Sequence, residues 1–571
     1  MDHAKLFDGR DSRAALKLLS QTLMARVLWV TLAGWCMSAA AAPPTESPVR
    51  AAEDLYADLI DDAGVVSAID SGLFTSYRGK TVDWWLARYA AERPQLVQRL
   101  AGISDTSLTA EDARALGFMR AALGAAIPED LRKATYSFGP PASHCADAAR
   151  KDLGESDLRD ALYACFDSLG NHLQFEGHTV SRDSAIAMLG QINEPERRKA
   201  LFYAFAPLWR AVNAGDEPDS PYRRRIQFAA ESPSGSAPIH AVARDLNLTP
   251  DECEAWLVKI LEAWRDVTPS TPVEPWDYRY VAGAADRALA RAIEAAGMLP
   301  VVNRYYRDLG ADLNSNVRFD LGWRKDKAPI TYTNYITMGR EVGGQWQATQ
   351  ARISASYSNS GLYVLNMLVH ESAHAVHYLA IHSRPAFMDI GDDFFCESFA
   401  DVTSWEVYDP GWQAKYLGQA VSEQAGLRSR YALATLESAW ALFELRMLKD
   451  PGADPNAVWT DITSRYFHVI AHPEMSWWAQ RVQLVTMPGF MLNYGLGAAA
   501  TADVRERIRD RLGPFDTGNA RWYAWVSKHL LRSGLQFDTS HVLQQFLGRP
   551  VSIQPILNDI RRIGPQVNTA H

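Results

Sequence analysis

Residues 362–380 read LYVLNMLVHESAHAVHYLA, and the reading of the whole chain turns on this stretch. Leu362, Val364, Leu365, Leu368 and Val369 recur near helical spacing, and neither Gly nor Pro interrupts the run before Pro385, which predicts a buried helix. On a helix, His370 and His374 stand one turn apart on one face, with Glu371 beside the first of them. Two imidazoles so placed can each give a nitrogen to one zinc ion at about 2.0–2.1 Å, while the adjacent carboxylate can reach a water at the metal. An HExxH arises by chance in only about 2% of chains of this length and composition.

Downstream, residues 392–401 read DDFFCESFAD, which sets Glu397 and Asp401 four residues apart. On a second helix, Glu397 can supply a third metal ligand and Asp401 can accept the free N–H of a ligand histidine, fixing its tautomer. Three protein ligands leave the fourth position for water, the open coordination that a catalytic zinc needs and a structural zinc lacks.

HExxH followed by ExxxD resembles the pattern of the gluzincin metallopeptidases, and the step of 23 residues from His374 to Glu397 is similar to that of their helical oligopeptidase branch. The stretch CESFADVTSWEV resembles the thimet oligopeptidase and angiotensin-converting enzyme families. HESAHAVH is similar to the thimet-type HExGHxxH, including His377, with Ala373 in place of the usual glycine. A metzincin is excluded, because His377 holds its glycine position and Ala380 its third histidine. Residues 487–497, MPGFMLNYGLG, resemble the C-terminal motif of the carboxypeptidase Taq family, GYFPSYTLG. Tyr494 matches that motif's second aromatic, Phe490 replaces its first tyrosine, and Val482 stands where these families place a histidine.

The resemblance, nearest to the thimet oligopeptidase and oligopeptidase F family, implies a mainly α fold of two lobes, with a small sheet beside the zinc helix and a deep central cleft. It implies one Zn2+ held by His370, His374 and Glu397, with Glu371 as general base, Tyr494 at the oxyanion and Asp401 behind a ligand histidine. Short unfolded peptides are the expected substrates. The alternatives are a dipeptidyl carboxypeptidase and a non-catalytic, zinc-containing peptide-binding protein of the same fold. His468, His472 and Tyr357 are further candidates for substrate contact.

The chain has 571 residues, 47% of them hydrophobic, enough for a large core. A net charge of −9, with no long basic run, argues against nucleic acid as a partner. Arg26, the apolar run 27–35 and the small residues 38–42 read as a secretion signal, with Met24 the more ordinary start. That run is short for an uncleaved membrane anchor, so a periplasmic or secreted protein free of the membrane is expected. The expected division is 1–42 signal, 43–315 N-terminal helical lobe and 316–571 catalytic lobe; the oligomeric state is left open. In an oxidising compartment Cys145 and Cys165 are near enough to be bridged, the alternative being four buried thiols once Cys36 is removed with the signal.

Along the chain, Pro94 is expected just beyond a helix that begins near Thr81, and its tryptophans are expected in the core. Residues 214–237, rich in Pro, Ser, Gly and charge, predict a long surface loop in which Arg223, Arg224 and Arg225 form a solvated basic turn. Thr249-Pro250-Asp251-Glu252 predicts a capping box at a helix start. Between residues 316 and 358 the period turns alternating, which predicts a small sheet. Its last segment, RISASY, is either the edge that pairs with substrate or an interior strand.

Overall fold

The computed structural model describes residues 47–124, 141–213, 217–232, 238–322, 331–355 and 360–564. The expected signal segment and Tyr357 lie outside these residues. From Pro48 onward the chain forms one compact unit, and one apolar core runs through it from Ala148 to Ile563, on both sides of residue 315. Among the described residues, no helix is long and apolar enough to cross a membrane.

Two helices near the beginning, α1 (Pro48–Asp70) and α2 (Val82–Ala101), pack against each other. Pro94 lies inside α2 rather than beyond it. Proline removes one backbone donor, but Tyr89, Leu96 and Leu100 bury the same helix on both sides of it, and that burial carries the helix through. Trp85 is buried as expected, whereas Trp84 is 41% exposed, with the Lys80 ammonium 5.0 Å from its ring centre.

The largest departure from the sequence reading is α3 (Pro221–Ala230), which occupies part of the expected surface loop. Ser220 caps it by accepting the Arg223 N–H, and Pro221 opens its first turn. The arginine triplet is buried: Arg224 donates to the carbonyls of Arg150 and Ala148, at 2.6 and 2.7 Å, and Arg225 donates to that of Thr486 at 3.0 Å. A run of like charge reads as solvated until helix ends with open carbonyls are brought around it, and only the tertiary fold does that. Next come α4 (Pro250–Val267), which starts with the expected capping box between Thr249 and Glu252, and α5 (Pro275–Ala282).

The small sheet consists of β1 (Val317–Asp320), β2 (Tyr332–Thr337) and β3 (Gln350–Ser354), in the order β1-β3-β2. β3 runs parallel to β1, Val317 opposite Ala351, and antiparallel to β2, Thr333 opposite Ile353. RISASY therefore begins in the interior strand, with Arg352, Ile353 and Ser354 buried. The edge beside the metal helix is β2.

That helix, α6 (Leu362–Ala380), is buried on nearly every side, so its stability comes from the core more than from helix propensity. Gly361 precedes it at φ +129°, where a side chain would also run into Asp286. The Asp286 carboxylate takes over the cap, accepting the Leu362 N–H at 3.0 Å. Helix α7 (Asp393–Ser404) is capped by Asp392, which accepts the Phe395 N–H at 2.8 Å. It packs between α6 and α9 (Met491–Leu512), and α9 lies in turn along α8 (Glu423–Lys449).

Candidate metal centre

α6 and α7 bring the HExxH and ExxxD residues together. His370 Nε2 lies 3.1 Å from Glu397 Oε2 and 3.2 Å from His374 Nε2, and His374 Nε2 lies 3.7 Å from the same carboxylate oxygen. His370 donates through Nδ1 to Asp401 Oδ1 at 2.8 Å, which leaves a lone pair on Nε2 facing the Glu397 carboxylate. Two such acceptors repel unless a cation or a proton stands between them. A tetrahedral zinc with bonds of about 2.0–2.2 Å sets its ligand atoms about 3.4 Å apart, close to the spacing seen, so these three residues fit a metal ion. Ser404 donates to Asp401 at 2.8 Å. Tyr306 ties α6 to α7 through the Val369 carbonyl at 2.7 Å and the Thr403 hydroxyl at 2.8 Å.

The electrostatics follow from this geometry. Burial works against a charge on His370, but the hydrogen bonds and charges of Asp401 and Glu397 outweigh it and hold its pKa well above the ordinary value. Burial pushes the Glu397 carboxyl up, yet hydrogen bonds and charge from the two histidines hold it well below the ordinary carboxylate range. The site is thus built to carry positive charge beside a carboxylate. His377, the additional histidine of the motif, is not part of it: burial pushes its pKa down to about 3, and its ring packs edge-on against Phe395 and Phe399.

Glu371 is held from the sheet. Thr333, on the edge strand β2, has its hydroxyl 2.7 Å from Glu371 Oε2 and 2.8 Å from the Glu371 carbonyl. Sequence reasoning missed Thr333, because one threonine in a strand-forming run carries no signal until the strand is placed against the helix. Tyr494 lies in the first turn of α9, its ring 5.5 Å from that of Phe490. Ideal Cβ atoms at Gly495 and Gly497 would meet Ala441 at 2.3 Å and Ser398 at 2.8 Å, so these glycines let α9 press onto α8 and α7 and carry Tyr494 to the site. Burial raises the Tyr494 hydroxyl well above its ordinary pKa, and the Glu397 and Glu371 carboxylates add to the effect. It remains a donor.

Two arginines also converge here. The Arg481 guanidinium lies 5.0 Å from the Tyr494 ring centre and pairs with Glu437 at 3.2 Å. Arg279, on α5, shares the fields of Glu437, Arg481 and Tyr363. The side chains of Glu397, Asp401, Arg481 and Glu437 remain 13%, 29%, 18% and 25% exposed, so solvent reaches each of them. Neither arginine stands out in the sequence, since nothing local marks which of the chain's many arginines comes near Glu437.

The remaining candidates have partners of their own outside the metal set. His472 is held by Glu274 at 2.9 Å and Glu474 at 2.8 Å, neither of them a member of the metal set. His468 forms the left-handed C-cap of the helix Pro455–Phe467, and its carbonyl accepts the Val273 N–H at 3.0 Å. Val482, in place of a histidine, is buried. Cys396, beside Glu397, is a buried thiol whose pKa is pushed far up by burial. Cys145 and Cys165 form a disulfide.

No protein-family model and no curated protein matches the chain. Among solved structures it is similar to an M32 carboxypeptidase from Deinococcus radiodurans R1, at 14% identity and a TM-score of 0.51, over 91% of this chain and 99% of that one. It is similar to metallocarboxypeptidase 1 of Trypanosoma cruzi, at 13% identity and a TM-score of 0.50, over 90% and 99% of the two chains. A carboxypeptidase from Pyrococcus furiosus matches at 13% identity and a TM-score of 0.50, over 90% and 98%. Along nine-tenths of its length, then, the chain has the helical fold of these carboxypeptidases.

Proposed function

We propose that the protein is a zinc-dependent peptidase acting on short, unfolded peptides. The observation that carries this reading is the meeting of His370, His374 and Glu397 at tetrahedral spacing, with Glu371 and Tyr494 in the same electrostatic field. The fold shared with carboxypeptidases supports it by analogy. The His2Glu donor set suits zinc. Bound there, a zinc ion would acidify a water molecule and polarise a carbonyl.

The rest of the chemistry belongs to the chain. Asp401 holds the His370 tautomer, and Thr333 holds the carboxylate of Glu371. Glu371 takes a proton from the attacking water and passes it to the departing amine. The Tyr494 hydroxyl, protonated throughout, donates to the oxygen on which negative charge develops. The edge strand β2 offers backbone groups to an extended substrate.

The Cys145–Cys165 bridge supports an exported protein. The likeness to carboxypeptidases favours, as a second reading, attack from the C-terminal end of the substrate. A fluorogenic peptide assay on the purified protein, with metal content measured before and after chelation, tests the function. Cleavage should vanish on chelation and return with zinc, and Glu371→Gln should keep the metal while losing at least about 100-fold in rate, the scale of general acid–base catalysis. Peptide binding without cleavage at full metal occupancy would leave a binding protein of the same fold.

A further inference from the structure

Arg481 stands beside Tyr494 without belonging to the metal set, held by one carboxylate and two aromatic rings. Its guanidinium pairs with Glu437 at 3.2 Å, while its Nε is buried without a hydrogen-bond partner among the described residues. The guanidinium carbon lies 5.8 Å from the ring centre of Trp440 and 5.0 Å from that of Tyr494. An aromatic face carries partial negative charge and attracts a cation, most strongly where water is excluded. Glu437 and Trp440, three residues apart on α8, are neighbours on one face of that helix. Helix α8 thus fixes the guanidinium, and the guanidinium meets the ring of Tyr494 on α9.

Tyr494 has need of such a neighbour. The Phe490 ring, 5.5 Å away, brings no hydroxyl, and Val482, next to Arg481, brings no polar group. Burial, and after it the carboxylates of Glu397, Glu437 and Glu371, hold the proton on Tyr494 tightly, and the charge of Arg481 works against them. A field that holds the proton on a phenol also weakens the hydrogen bond it can donate. A fixed cation beside the ring therefore strengthens the donor toward an oxygen on which negative charge develops.

We propose that Arg481 is a positioning residue for the peptidase reaction: clamped by Glu437 and Trp440, it holds the Tyr494 ring in place and counters the carboxylate field at its hydroxyl, acting on the oxyanion through Tyr494 rather than by touching substrate. The inference rests on the peptidase reading above and adds to it a cation that serves turnover and not substrate binding.

The test is a double-mutant cycle on the zinc-loaded full chain, with kcat and KM measured on a fluorogenic peptide for the parent, Arg481→Met, Tyr494→Phe and the variant carrying both. Tyr494→Phe should lower kcat by about 100-fold or more, the loss expected for one oxyanion donor. Arg481→Met should lower kcat about 3- to 30-fold, the scale of a desolvated cation–π contact. Its KM, zinc content and thermal midpoint should stay close to the parent's, and Arg481→Lys should recover part of the loss. In the Tyr494→Phe background, Arg481→Met should cost nothing further. An undiminished loss in that background, an effect confined to KM, or a kcat equal to the parent's overturns the inference. If Arg481→Met fails to fold because Glu437 is left unpaired, the same cycle is run in a Glu437→Gln background and read by the same outcomes. Calorimetric titration of a phosphinic peptide, whose tetrahedral anion stands in for the oxyanion, reads the cycle without turnover. Binding that Arg481→Met weakens in the parent but not in the Tyr494→Phe background supports the inference even if the parent cleaves no peptide, and binding that Arg481→Met leaves unchanged overturns it.

Discussion

Asp401 never needs to touch a substrate to matter. Its carboxylate accepts from His370 Nδ1 and from Ser404, so it decides which nitrogen of His370 carries the lone pair. Asp401→Ala should leave a folded protein whose zinc affinity, measured by competition with a chelator, is weaker by about 10- to 100-fold. Asp392→Ala is the contrast. Asp392 caps α7 and accepts the Thr539 hydroxyl at 2.5 Å, so its loss should lower stability by about 1 kcal/mol with far less effect on metal affinity. Equal zinc affinity in the parent and the Asp401 variant would remove the role assigned to Asp401. These residues are legible from spacing alone, because on a helix four residues make one turn and put both side chains on one face. Thr333 and Arg279 are not legible in this way, since each meets the site from an element distant in sequence.

At the scale of elements, the turn into α9 has an unusual support. Glu444, fully buried on α8, faces the backbone N–H groups of Gly489, Met491 and Leu492, where α9 begins and Tyr494 is delivered. Burial pushes its carboxyl up to about 8, against the pull of those N–H groups. A carboxyl whose pKa is higher folded than unfolded binds more protons in the native state, so its contribution to stability is full below about 4.5 and is lost as the pH rises through about 8. At about 1.4 kcal/mol per pKa unit, the loss should be on the order of a few kcal/mol. Glu444→Gln should flatten the fall in stability between about pH 5 and 8, read from denaturant midpoints across that range. A variant whose pH dependence matches the parent's would show that another group titrates there.

For the molecule as a whole, the Cys145–Cys165 bridge closes a loop of 20 residues and should contribute about 3 kcal/mol, so Cys145→Ser should lower the unfolding free energy read from denaturant titration by that much without changing zinc content. The sequence by itself determined the metal helix, the helix after it, the spacing of His370, His374, Glu397 and Asp401, the capping box at Thr249 and the change to strand before the site. All of these are local, written in helical period, in cap chemistry and in alternation, and the interactions that make them act within a few residues. What only the tertiary structure decided lies between segments far apart in the chain. β2 rather than RISASY became the edge, because strand order depends on which strands meet. Arg224 and Arg225 went inside, because the carbonyls of Ala148, Arg150 and Thr486 were brought to them, and Arg223 followed with the carbonyl of Gly452. α2 ran through Pro94, because burial on both sides of the proline outweighed one missing hydrogen bond. Asp286 came to cap α6, because the segment 284–289 packs where that helix begins, an arrangement that no local pattern encodes.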